Sequence, residues 1–215
     1  QFGYSYTYSK NEYQHIRNLS FNTNIWEVAL QGDFNFFKFI PGDPDYSFTP
    51  YITLGAGVFT YDPYAFTNGQ KEFLRPLGTE GQQIGYNGRK PYNTLAICIP
   101  LGVGIKYNLS DKINFSFEVA HRFTTTDYLD DVSTTYIDPN YFRLYMSPQD
   151  AALAEQISDK VNGIFNVGLN RYPPGTQRGN PNKNDDYFSC VIKLGIKLGN
   201  NDNIYTRQTR CPHFY

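Results

Sequence analysis

The chain has 215 residues, a formal net charge of −1 and a negative mean hydropathy. That length holds one domain, and the near-balanced charge leaves no footprint for nucleic acid or another polyanion. No run of ~18 apolar residues is present, so no membrane-spanning helix is encoded. A strand-built membrane protein stays open, because half of each membrane strand and all of its loops are polar.

Nineteen tyrosines and 17 phenylalanines, against one methionine and one tryptophan, favour an all-β chain. The sequence starts at Gln1 with neither an initiator methionine nor a signal peptide, which reads as a processed or truncated product.

Residues 1–9 alternate Phe2, Tyr4, Tyr6 and Tyr8 with small residues, as a first strand would. Residues 10–23 are a polar loop, and 24–37 form a second strand. Its Trp26, Val28, Leu30, Phe34 and Phe36 share one face, and Glu27, Gln31, Asp33 and Asn35 the other. Residues 38–47 contain Pro41-Gly42-Asp43-Pro44 and form a turn. A third strand covers 48–61, followed by a long loop over 61–92.

Residues 93–123 make the central hairpin, turning at 108–112. Leu95, Ile97, Ile99, Leu101, Val103 and Ile105 line one face of its first strand, and Ile113, Phe115, Phe117, Val119 and Phe123 one face of its second. Each strand runs to about a dozen residues, against ~5–6 in an ordinary strand and ~9–11 needed to cross a bilayer. A longer loop, 124–186, contains a helix over 151–161 that opens with Ser147 as N-cap and Pro148 at the first helical position. Residues 187–199 are the last strand, and 200–215 a polar tail.

Long and short connections alternate, so an antiparallel up-and-down arrangement puts every long loop at one end. Tyrosine and phenylalanine crowd the strand ends. Both features fit an outer-membrane β-barrel over 1–199 with aromatic girdles, and a periplasmic C-terminal tail at 200–215. Six strands are visible where such barrels start at about eight, so an N-terminal hairpin is expected to be missing. At eight strands the interior is filled by side chains, without a pore.

Alternation alone admits two insides. A soluble barrel, such as a lipocalin-type carrier, buries the apolar face. A membrane barrel turns that face to lipid and encloses Glu27, Asp33, Lys106, Glu118, Arg122, Lys193 and Lys197 as a charge network. Length, girdles and loop asymmetry favour the second.

Several stretches carry more than architecture. They are Leu77-Gly78-Thr79-Glu80-Gly81-Gln82, Arg89-Lys90-Pro91-Tyr92 with the IPLGVGIKYNLS strand, TDYLDDVSTTYID over 126–138, Gln177-Arg178-Gly179-Asn180, and Cys211-Pro212. With them the whole chain resembles the PorG-like outer-membrane proteins of the type IX secretion and gliding machinery of Bacteroidota. The resemblance implies an eight-stranded, non-enzymatic outer-membrane barrel. It also implies association with a periplasmic ring of a lipoprotein and its partner, of the PorK/PorN or GldK/GldN type. Asp127, Asp130, Asp131, Thr134 and Asp138 are the family's loop motif in this chain.

A ring at the periplasmic side would meet the short-turn end. That end offers Asp43, Asp45, Asp111 and Lys112, with Arg207, Arg210, Cys211 and Pro212 in the tail. A passive structural barrel of the OmpA type is the alternative.

Little else points to chemistry. His15, His121 and His213 complete no Ser/His/Asp set, so no catalytic residue is assigned. The aspartates of 127–138 lack a calcium-loop spacing and its glycine, and read as turn caps. No cofactor and no metal are expected. Cys98 and Cys190 face opposite sides of non-neighbouring strands, too far apart in direction for a disulfide, and both are expected to be buried, inert thiols. Cys211 is left for an intermolecular disulfide.

Overall fold

The structure is a computed structural model that describes residues 19–160 and 172–198. The strand expected over 1–9, and the tail with Arg207, Arg210, Cys211 and Pro212, lie outside the described residues.

The fold is antiparallel, up-and-down and mostly β. Its strands are β1 (Asn22–Asn35), β2 (Phe48–Thr67), β3 (Gln70–Phe73), β4 (Leu95–Asn108), β5 (Ile113–Thr124) and β6 (Asp186–Ile196). They form one sheet in the order β1-β2-β4-β5-β6, with β3 paired to β2 outside that path. Among the described residues three short α-helices stand in the long loops: α1 (Leu74–Leu77), α2 (Pro139–Tyr145) and α3 (Pro148–Ser158). No helix among the described residues is long and apolar enough to cross a membrane.

Three elements differ from the sequence reading. β2 continues past Tyr61 to Thr67 and folds back through Asn68-Gly69 into β3. Pro63 stands where β2 changes partner. Tyr61 donates to Thr94 before β4, and pairing with β3 begins at Tyr64. The proline's missing N–H therefore breaks neither ladder.

The helix read as 151–161 is α3, one turn earlier, with Ser147 accepting from the Asp150 N–H. α2 was not foreseen. Asp138 caps it by accepting from the Asn140 N–H, and Pro139 fills its first position, the same signal that marked α3.

The chain packs as two compact units. One is built on Gly55–Ile99 and Arg122–Tyr187 with the part of β1 up to Leu30, and contains both long loops. The other is built on Gln31–Leu54, Pro100–His121 and the chain from Phe188, and contains both short turns.

The alternation of the strands is inverted relative to a water-soluble sheet. Leu30 is 85% exposed and Ile99 49%, whereas Cys98 is 0% and Glu118 1% exposed. Apolar rows point outward on every long strand, and small, polar and aromatic residues, Phe59 and Tyr61 among them, point inward. Cys190 belongs to the outward row of β6 and is exposed, which corrects the expectation of a buried thiol there; Cys98 is buried, and both thiols are free.

Candidate functional site

Three places collect polar chemistry: the inward faces of the strands, the short turns, and the assembled long loops.

Inward charges pair within each unit. In the loop-bearing unit, Arg122 on β5 pairs with Glu27 on β1 at 2.6 Å, and the Tyr187 hydroxyl on β6 donates to the same carboxylate at 2.8 Å. Within this unit, side chains of β1 and β6 therefore meet. In the other unit Lys106 pairs with Asp33 at 2.8 Å. Lys193 pairs there with Glu118 at 2.7 Å, and the Tyr51 hydroxyl donates to Glu118 at 2.9 Å. Lys197 donates to the Pro41 carbonyl. A buried carboxylate is tolerable only with such partners, because burial without them costs several kcal/mol.

The short turns are pinned to each other. Asn108 donates through its side chain to the carbonyls of Ile40 and Asp43, and its N–H donates to the Ser47 carbonyl. Gly42 lies so close to Asp111 that a Cβ there would stand 2.2 Å from its carbonyl oxygen, at a φ of +85° that glycine adopts freely. Asp43 accepts from the Asp45 N–H. Asp45, Asp111 and Lys112 are exposed.

The loops assemble around Glu80. This carboxylate is fully buried, and accepts from the N–H groups of Ser133 and Thr134, the Thr134 hydroxyl at 2.6 Å and the Arg178 guanidinium at 2.9 Å. Arg178 also donates to the Asp131 carbonyl, and Asp131 accepts from Thr79 and from Tyr92. Arg89 holds the carbonyls of Glu80 and Thr135.

Gly179 lets the strip carrying Arg178 lie against Ser133, whose backbone a Cβ at 179 would meet at 2.5 Å. Apolar contacts complete the assembly. Tyr92 stacks on Tyr61 and Tyr128, Ile157 packs with Leu74 and Leu77, and Phe142 with Ala151 and Ala154.

The electrostatics follow from this burial. Desolvation lifts the Asp131 carboxyl to about 6, against the pull of Arg178 and the hydroxyls of Thr79 and Tyr92. Asp130 and Asp185 are both raised, by burial and, for Asp130, by the charge of Asp185. Burial works against the charge of Arg178, but Glu80 and Asp131 outweigh it, and its pKa rises.

The structure thus brings the loop motif together with two stretches distant in sequence. Asp130 and Asp138 cap turns, accepting from the N–H groups of Val132 and Asn140, as expected. Asp131 does not: it is a buried acceptor between loops. Thr134 binds Glu80, and Asp127 is half-buried. Glu80 and Arg178, the centre of the assembly, were not singled out from sequence. Their only signal was the pair of glycine-flanked stretches that contain them. Among the described residues no cluster of three or more histidine, cysteine or acidic side chains has the geometry to hold a metal.

The chain matches no curated protein and no solved structure. A family model described as a domain of unknown function, DUF6089, matches residues 5–147, well over half of the sequence. That span takes in β1 to β5, both short turns, Glu80 and the whole 126–138 motif, so the chain belongs to the DUF6089 family.

Proposed function

We propose that this chain is a non-enzymatic outer-membrane β-barrel component of a type IX-like secretion machinery, which holds a periplasmic ring of a lipoprotein and its partner at the membrane. The observation that carries the membrane part is the inverted alternation. Leucine, isoleucine and phenylalanine side chains cover the outside of all five long strands while Glu27, Glu118 and Arg122 are enclosed. In water each such apolar side chain would forgo ~1.5–3 kcal/mol of burial. A lipid surround removes that loss, and water-soluble carriers of the lipocalin type have the opposite pattern.

The ring-holding part rests on the sequence resemblance and on the short turns. Their mutual hydrogen bonds give a partner a preformed surface at Asp43, Asp45, Asp111 and Lys112, so docking loses little loop entropy. The tail from residue 200, with Arg207, Arg210, Cys211 and Pro212, would add to that surface, and Cys211 would bond to a ring subunit.

Extraction in mild detergent followed by affinity purification of the intact chain tests both parts. Partition into the membrane fraction with recovery of a periplasmic lipoprotein complex is expected. Membrane partition without any periplasmic protein would favour a passive OmpA-type barrel. Release in buffer without detergent would overturn the membrane reading.

A further inference from the structure

The β2–β3 hairpin departs from the rule of the loops around it. Asn68 and Gly69 both take positive φ, as a tight two-residue turn requires, and the strands pair in register from Tyr64 with Phe73 to Thr67 with Gln70. One face of this hairpin is fixed on the loop assembly. Ala65 is fully buried in a cluster with Leu74, Leu77 and Ile157, and its cross-strand partner Glu72 lies on the same side. The opposite face carries Tyr64, Phe66, Lys71 and Phe73. Phe66 is 56% and Phe73 40% exposed, although the other large apolar clusters of the loops are buried.

The cations of this face are held without a carboxylate. Lys71 Nζ stands 3.9 Å from the centroid of the Tyr64 ring and 4.5 Å from that of Phe73. Tyr64 packs edge-on against both Phe66 and Phe73, so the ammonium and the two exposed rings belong to one cluster. Arg75, in α1, donates through Nε to the Tyr92 carbonyl at 2.9 Å. Among the described residues neither Lys71 nor Arg75 forms an ion pair. Asp62 is the one carboxylate whose charge both of them reach.

Two cations against one carboxylate leave a positive excess beside exposed apolar rings. A guanidinium with its terminal amino groups unspent and an ammonium on a long apolar stem are the usual holders of phosphate. A free phosphate would use the cations and leave Phe66 and Phe73 in water. An amphiphile with an anionic head uses both.

We propose that the outer face of the β2–β3 hairpin binds an anionic, phosphate-bearing lipid, with its phosphate on Lys71 and Arg75 and its acyl chain along Phe66 and Phe73. The proposal rests on the membrane reading above and adds a lipid class and a site to it.

For the test, the full chain is refolded into phosphatidylcholine vesicles containing a minor share of phosphatidylglycerol and floated. It is then extracted in mild detergent, and native mass spectrometry identifies the lipid it retains. Phosphatidylglycerol is expected well above its share of the vesicle. One cation near an anionic lipid surface contributes a factor of about five, so Lys71→Gln should lower the enrichment by about that factor. Lys71→Gln with Arg75→Gln should remove it, and Phe66→Ser should lower it as well. Lys183→Gln, at an exposed lysine elsewhere in the loops, should leave it unchanged. A chain that floats but retains no excess phosphatidylglycerol overturns the site and leaves the membrane reading intact, as it would if an acidic protein covered this face. Equal losses at Lys71 and Lys183 overturn it in favour of diffuse surface attraction. Displacement of the lipid by dissolved glycerol phosphate overturns it in favour of a soluble anion. A chain that does not float overturns both readings. If Arg75→Gln disturbs the fold through Tyr92, Lys71→Gln decides alone.

Discussion

On β4, Ile99 stands outward while its neighbour Cys98 is sealed off; in the loop assembly Phe142, Leu74 and Ile157 are sealed off while Lys90 and Asn140 face out. The strands and the loops of this chain thus follow opposite rules of burial. The loop assembly is organised for water, with apolar clusters inside and a buried ion pair at the centre. On the proposed membrane reading the strand exteriors meet lipid. One chain would then meet two solvents, and substitutions can be sorted by which of the two a residue meets.

The largest effect is expected at Glu80. Glu80→Ala leaves Arg178 buried without its carboxylate and strips acceptors from two N–H groups and a hydroxyl. Breaking a buried pair from one side costs ~3–5 kcal/mol. Limited proteolysis within 126–138 should accelerate sharply while the strands keep their far-ultraviolet signature. Unchanged protection of that stretch would show that Glu80 does not hold the loops together.

Next comes the outward face. Ile99→Lys puts a charge where lipid is proposed and should cost ~2–4 kcal/mol near mid-depth, read as a lower midpoint in urea unfolding from vesicles. A lysine at Asn140, on the exposed side of the loops, should change nothing measurable. Equal tolerance at the two positions would erase the distinction between the two solvents.

A smaller effect belongs to the strand interior. Glu118→Ala removes the partner of Lys193 and of the Tyr51 hydroxyl. Lys193 is half-exposed and can rehydrate, so ~1–3 kcal/mol is expected, less than at Glu80. A loss as large as that at Glu80 would mean that Lys193 is more confined than its exposure indicates.

These regions differed in how well the sequence displayed them. Strand alternation is a local, period-two signal, so all five long strands were legible, as was the pairing of inward acids with inward bases. The loop assembly is made by contacts between distant stretches: Glu80 and Arg178 are 98 positions apart, and no periodicity links them. Asp131 read as one more turn-capping aspartate because its partners, Thr79 and Tyr92, come from another loop. Cys190 was misjudged for a different reason: its row was recognised as apolar, but apolar was equated with buried. The same equation fails for every residue of that row.

The smallest effect expected is a pH dependence confined to the loops. A carboxyl whose pKa is raised on folding holds its proton more tightly in the folded state. Its contribution to stability therefore increases as pH falls through the folded value toward the unfolded one, and is lost as pH rises again. Asp131 is lifted to about 6 from an ordinary value near 3.8, and Asp130 and Asp185 are displaced in the same direction. The window thus opens near pH 6 and extends downward to about 4. Each unit of displacement corresponds to about 1.4 kcal/mol, and the assembly should gain on the order of 1–2 kcal/mol between pH 7.5 and pH 5. Amide hydrogen exchange over 126–138, corrected for the intrinsic pH dependence of exchange, measures it directly. The amides of β4 and β5 act as the internal reference, and Asp131→Asn should flatten the response of the loops while leaving the strands alone. Loops that open more readily at pH 5 than at pH 7.5 would mean that Arg178 and the two hydroxyls outweigh burial at Asp131, and that its carboxyl is held as a charge.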